Sequence, residues 1–169
     1  MSRTITIFIT TFKTLSFSKI KRLLNVVLPH PIFAIVSLYA TFKAFTIAKK
    51  YFPKTNSSDG IGNAFRHAFW TCLISMYCSK ISSPERSLEW CQKITDLHEE
   101  LFPNEPLQKQ MDLHNNKVGI NIYKELLPTI HRQFFETSFF VQALFKKVKT
   151  AQILSENHEV DENELVYLK

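Results

Sequence analysis

From Gly60 to about Lys80 the chain is apolar at nearly every position, and Asn63, His67, Thr71 and Ser75 recur at every fourth place. That spacing predicts a helix with the four polar residues on one line, and an apolar surface all round places such a helix in the middle of a bundle. Before it, Pro29-His30-Pro31 interrupts an apolar stretch, and Pro31 suits the first turn of a helix running to about Phe52, where Pro53 stops it. Ser57, Ser58 and Asp59 are candidate N-caps for the central helix. After it, Ser82-Ser83-Pro84-Glu85 reads as a helix start. The helix that follows puts Leu88, Cys91, Thr95, His98 and Phe102 on one face and ends at Pro103-Asn104-Glu105-Pro106. A further helix is predicted from about Leu107 to Leu127, and another, amphipathic and basic at its end, from Thr129 to about Leu154. Ile5 to Val27 reads as one or two helices, although its β-branched start also suits a short strand.

The expected fold is therefore all-α, a single-domain bundle of about six helices around the helix at 60–80. Residues 1–30 form an apolar segment that packs on the domain or touches a membrane, 31–154 the helical domain, and 155–169 an acidic flexible tail. Composition supports this reading. The chain has 169 residues, enough for one real core, and only three glycines, which leaves few tight turns for a many-stranded β fold. Leu23 to Phe42 is nearly free of charge, but the Pro29–Pro31 break leaves two pieces too short to span a bilayer. Lys13 interrupts the earlier apolar run and no small-residue cleavage site follows, so neither a signal peptide nor a transmembrane helix is expected.

Charge widens the choice of partner only slightly. A net charge of +6 comes from scattered Lys and Arg, with modest clusters at Lys19, Lys21 and Arg22 and at Lys146, Lys147 and Lys149. It is compatible with a membrane surface or an anionic lipid, and no signature of specific nucleic-acid recognition is present. Cys72, Cys78 and Cys91 are an odd number without CxxC spacing in apolar surroundings, as expected of buried reduced thiols in a cytosolic folding compartment.

Three short blocks carry the candidate chemistry: Asn63-Ala64-Phe65-Arg66-His67-Ala68-Phe69-Trp70, Asp96-Leu97-His98-Glu99-Glu100, and Met111-Asp112-Leu113-His114-Asn115-Asn116-Lys117-Val118-Gly119. Polar groups set among apolar ones are costly to bury unpaired, so the blocks either converge on one centre or are three separate surface stretches. Arg66 cannot be neutralised at ordinary pH and needs solvent, a carboxylate or an anionic ligand. His98 lies on the apolar face of its helix. Asp112 and His114, two residues apart, cannot both face one centre from a regular helix.

Two chemistries fit these donors. His67, His98, Asp112 and His114 could ligate a divalent metal such as zinc, with water completing the site, although their spacing matches no compact metal motif. Without metal, His67 or His98 would serve as base, Asp112 or Glu99 would orient it and Arg66 would hold an anionic group. A structural role for all three blocks, with Asn115 and Asn116 tying helix ends together, stands beside both.

At these residues the chain resembles a family of bacterial helical domains of unknown function that carry an NAFRHAxW block, a later His-Glu pair and an MDxHNNxxG block. The matching residues are Asn63, Ala64, Phe65, Arg66, His67, Ala68 and Trp70, then His98 and Glu99, then Met111, Asp112, His114, Asn115, Asn116 and Gly119, within roughly Pro31 to Leu127. Members occur alone and near the ends of large secreted or polymorphic-toxin-type proteins. The resemblance implies folding in a bacterial cytoplasm, export as an effector, and an immunity or carrier protein as partner, but no reaction. A likeness to the Arg-His-Asp-Phe helix of bacterial phospholipases A2 fails where Ala68 replaces the calcium-associated aspartate.

The expectation is a small helical hydrolase of effector or toxin type, acting on an anionic, membrane-associated substrate such as a phospholipid through Arg66, His67, His98, Glu99, Asp112 and His114. Its rival is a non-enzymatic interaction module whose polar blocks fix the fold. A nuclease is a third reading, for which no established motif is present.

Overall fold

The computed structural model describes residues 15–155 and 160–169. The expectation for Ile5 to Thr14 lies outside them. Among the described residues are α1 (Phe17–Val27), α2 (Pro31–Tyr51), α3 (Ile61–Ile81), α4 (Pro84–Leu101), α5 (Pro106–Leu126) and α6 (Thr137–Val148). A 3-10 turn spans Arg132–Phe134, and β1 (Gln152–Ile153) and β2 (Val166–Tyr167) form one short parallel pair. The chain is thus an all-α domain, with α3 in contact with α2, α4, α5 and α6.

Prolines open α2, α4 and α5 in their first turns, and Ser16 and Ser83 accept backbone N–H groups as N-caps of α1 and α4. The start of α3 differs from expectation. Its N-cap is Gly60, and the Thr55 hydroxyl accepts the Gly62 N–H in place of any hydroxyl or carboxylate from Ser57–Asp59.

The central helix is buried along almost its whole length, from Gly62 to Ser79. Phe65 stacks on Phe69, while Phe52 and Phe145 pack against Phe65. Helix α5 comes close to α3 at Gly119, where an added Cβ would lie 2.0 Å from the Ala68 carbonyl oxygen and 2.1 Å from the Thr71 hydroxyl. Thr71 donates to the Asn116 carbonyl at 3.0 Å across the same seam. Only glycine lets these backbones meet, and that contact sets the register of α5 on α3.

Two expectations at the C-terminal end are corrected. The helix predicted over Thr129 to Leu154 is interrupted, because 128–136 folds back to satisfy carbonyls at the end of α3. Arg132 donates to the Ser79 carbonyl and Gln133 to that of Lys80, while Phe135 is buried between Tyr123 and Phe140. The acidic stretch after Ser155 is not loose where it is described. Leu165 and Val166 are fully buried, and the Asn115 side chain pairs with the Val166 backbone in both directions at 2.8 and 3.0 Å. Asp161 and Glu162 are exposed while the short Leu165-Val166 pair packs inward, a pattern that net charge hides.

By length and composition α2 is long and apolar enough to cross a membrane. One face of it, Ser37, Ala40, Ala44 and Ala48, is buried. Ser37 and Ala44 of this face help line a cavity of about 510 Å³ between α1, α2, α3 and α4, within the size range of small-molecule sites.

Candidate active site and metal centre

All three sequence blocks meet beside this cavity. The polar line on α3 faces α5, and His67 stands where α4 and α5 also come close. Its Nε2 lies 3.3 Å from Asp112 Oδ1, and its Nδ1 lies 3.3 Å from Asn116 Oδ1. Asp112 and Asn116 are one turn apart on α5, so both reach the same ring. Glu99 enters from α4: one ligand atom each from His67, Glu99 and Asp112 lies within 4.8 Å of the others, and all three residues are buried.

Arg66 fills the remaining side. Its guanidinium donates to the Asn56 carbonyl at 2.8 Å and to Asn63 Oδ1, and its Nη2 lies 3.4 Å from His67 Nε2. Asn104, in the loop between two prolines, donates to Asp112 Oδ2 at 3.0 Å. The other oxygen of Asp112 and both oxygens of Glu99 are buried without a hydrogen-bond partner, as is the Asn116 amide nitrogen. Native proteins seldom leave buried carboxylate oxygens in that state.

Burial dominates the ionisation of the centre. It pushes the Glu99 carboxyl up to about 7, with nearby Asp112 adding to the effect, and the Asp112 carboxyl up to about 6 against the pull of Arg66. Burial, with Arg66 close by, also holds the imidazole of His67 well below its ordinary range and that of His98 down to about 4. The His67–Asp112 contact is therefore not an ion pair at neutral pH. A neutral His67 that donates from Nδ1 to Asn116 turns the Nε2 lone pair toward the bare Asp112 oxygen. Two acceptors then face each other, an arrangement that a cation relieves, as does the other neutral tautomer with its proton on Nε2 directed at Asp112.

Charge points the same way. Asp59, Asp96, Glu99 and Asp112 act on this centre against Arg66 and Lys109, so fully ionised side chains leave a surplus of two negative charges. A divalent ion cancels it. Ligands about 2.0–2.2 Å from one tetrahedral zinc ion stand about 3.4 Å apart, so these side chains would have to rotate inward to hold one.

His98 and His114 do not join that set. The His98 ring is 6.3 Å from the His67 ring, centroid to centroid, and packs against Trp70 and Phe102 on the cavity wall. His114 turns away altogether and donates from Nε2 to the Glu164 carbonyl at 2.8 Å, holding the C-terminal segment. The ligand group expected as His67, His98, Asp112 and His114 is thus replaced geometrically by His67, Glu99 and Asp112, since the Gly119 seam turns Asp112 and not His114 toward α3. Asp96 and Glu100 remain exposed, bonded to Gln92 and Arg22. The three cysteines are buried free thiols, and burial raises Cys78 and Cys91 to about 12, far from a nucleophile.

Sequence reading missed Asn104 and the carbonyl of Asn56 as supports. Neither lies on a periodic face; the prolines around Asn104, which fix that loop, were the only signal.

A family described as a domain of unknown function (DUF6973) matches residues 24–152. No curated protein and no solved structure matches the chain.

Proposed function

We propose that this chain, which belongs to that family of unknown function, is a small hydrolase whose centre is His67, Glu99 and Asp112 around a divalent metal such as zinc. One observation carries the reading: the buried oxygens of Glu99 and Asp112 that lack a hydrogen-bond partner lie within 4.8 Å of a buried neutral imidazole. A metal there would supply water already near its ionisation point at neutral pH.

The residues around it have separate tasks. Asn116 orients the His67 ring, and Asn104 holds Asp112 by the oxygen that faces away. Arg66 offers a buried guanidinium to negative charge developing on the reacting group. The free oxygen of Glu99 takes a proton from the attacking water as its oxygen bonds to the acyl or phosphoryl centre. That proton then passes to the leaving oxygen as its bond breaks. In the metal-free variant of the same centre Asp112 orients His67, which becomes the base.

The effector or toxin-type role, a bacterial setting, and an immunity or carrier protein as partner rest on the resemblance of the three blocks. The positive net charge and the apolar N-terminal third favour an anionic substrate at a membrane.

Elemental analysis of the purified protein should find a divalent metal that Asp112→Asn and Glu99→Gln both remove. Hydrolysis of p-nitrophenyl butyrate and bis(p-nitrophenyl) phosphate should reveal which bond class is cut, and His67→Ala should lower that rate at least about 100-fold with the helical signal intact. Full activity in metal-free protein would leave the acid/base form alone. A chain that neither binds metal nor hydrolyses either ester, with these substitutions lowering only its melting temperature, would return the blocks to the structural role of an interaction module.

A further inference from the structure

The cavity of about 510 Å³ between α1, α2, α3 and α4 borders the proposed centre and has a distinct chemical make-up. Leu23, Val27, Ile94, Leu97, Leu101 and Phe102 give it hydrocarbon walls. Of its polar lining, Ser37 accepts the Trp90 indole N–H, and Thr41 accepts that of Trp70 while donating to the Ser37 carbonyl. Those groups are already satisfied. The rest of the polar lining is Arg66, which already donates to Asn56 and Asn63, His67, which contacts Asn116 and Asp112, and His98. His98 is held between Trp70 and Phe102, and neither ring nitrogen has a hydrogen-bond partner among the described residues. It is half-buried on this wall, where it can present a ring nitrogen to a ligand in the cavity.

We infer that the cavity receives the single aliphatic chain of an acyl amphiphile, with the carbonyl end of that chain hydrogen-bonded by His98 beside the centre formed by His67, Glu99 and Asp112. The inference deepens the hydrolase reading and rests on it for the chemistry, but not for the binding. It makes His98 a positioning and specificity residue. It also gives an apolar function to walls that a phosphate or sugar substrate would not use. The mouth is bordered by Ile35 and Leu38, which are 69% and 47% exposed on α2, so a chain reaches the interior past apolar side chains.

Calorimetric titration with butyrate, octanoate and dodecanoate, all below micelle-forming concentrations, tests the binding directly. Affinity should rise about fourfold for each added methylene until the cavity is filled. Asp112→Asn, which disables the proposed centre, should retain that chain-length series. Leu38→Glu at the half-exposed mouth and Ala34→Trp within the cavity should each weaken dodecanoate at least about tenfold, the first serving if the second does not fold. His98→Phe, which preserves ring packing, should weaken dodecanoate by a larger factor than 1-dodecanol, whose hydroxyl is the weaker acceptor. An affinity independent of chain length, or one indifferent to both Leu38→Glu and Ala34→Trp, would overturn the inference even if short esters are hydrolysed. Chain binding in a protein that holds no metal and cuts no ester would uphold the cavity and defeat the proposed reaction.

Discussion

Helices α2 and α3 are both 21 residues long and both predominantly apolar, yet the fold uses them in opposite ways. In α3 almost every residue is buried, and polar groups on it find partners inside: Asn63 accepts from Arg66, while His67 and Thr71 meet Asn116 of α5. In α2 only Ser37, Ala40, Ala44 and Ala48 are buried. Its small residues let it lie close to α3, and while Phe33, Val36 and Ile47 pack against the core, Ile32, Ile35, Leu38 and Tyr39 are exposed. Apolar content alone does not say whether a helix is core. The size and placement of side chains do: a stripe of alanine makes a seam, whereas a ring of large residues broken by a polar line makes a centre with a site in it.

The sharpest way to break this contrast is at the seam on the buried helix. Gly119→Ala places a carbon against the Ala68 carbonyl and the Thr71 hydroxyl with no flexible side chain to yield. It should cost about 3 kcal/mol by chemical denaturation and displace Asp112 from His67 as α5 shifts. A loss below about 1 kcal/mol would mean that the helices separate freely and that this contact does not set the register.

Next in size is the anchor of the C-terminal segment. Asn115→Ala removes both hydrogen bonds to the Val166 backbone inside the protein and leaves that strand's N–H and carbonyl unpaired. The expected loss is about 2–3 kcal/mol, read in the same unfolding measurement. Proteolysis should then reach the stretch around Leu165 first, and an unchanged cleavage pattern would argue that β1 and the small cluster of Met111, Leu154 and Val166 hold it unaided.

These two sites also mark how far the sequence could be read. The period of α3 and the proline and serine stops were plain, because they are local. The convergence of the three blocks was one of two readings the sequence left open, since polar groups set in apolar helices can meet in one centre or lie on separate surfaces. Whether Asp112 or His114 turned inward was not legible, because the answer lies in a contact between Gly119 and Ala68 that joins distant parts of the chain. The C-terminal correction has the same origin: Leu165 and Val166 are two apolar residues in an acidic stretch, and their partner Asn115 is far away in sequence. A cavity leaves no signal at all along the chain, being the space that the small residues of α2 and the spacing of α1 and α4 fail to fill.

The site on α3 should also betray itself through pH. Glu99 is held up to about 7 from an ordinary 4.5, by burial and by Asp112 and Asp96, with Lys109 opposing. Between those values the folded metal-free chain binds more protons than the unfolded one, so stability falls as pH rises. His67 and His98, held neutral by burial, act with the opposite sign as pH falls below about 6.5. The comparison with Glu99→Gln isolates the carboxyl. Stripped of metal, the unsubstituted protein should lose about 2 kcal/mol relative to that variant between pH 4.5 and 8, and added zinc should restore it. Parallel pH profiles would mean that Glu99 is solvated and that its oxygens are not the orphaned ligands proposed.

The smallest effect belongs to the outer face of α2. Ile35 is 69% exposed, so Ile35→Ser removes little area that folding takes from water, and the melting free energy should move by no more than about 0.5 kcal/mol. That near-silence carries information only because α3 next to it should tolerate nothing of the kind. Ile74, fully buried on α3, should lose about 3 kcal/mol or more on the same change to serine, through lost apolar burial and a hydroxyl placed in the core. If Ile35→Ser instead costs several kilocalories, or if the melting temperature climbs with protein concentration and the substitution abolishes that climb, then the outer face of α2 is covered by a second copy of the chain. The two helices would then be alike in burial and different only in which molecule does the burying.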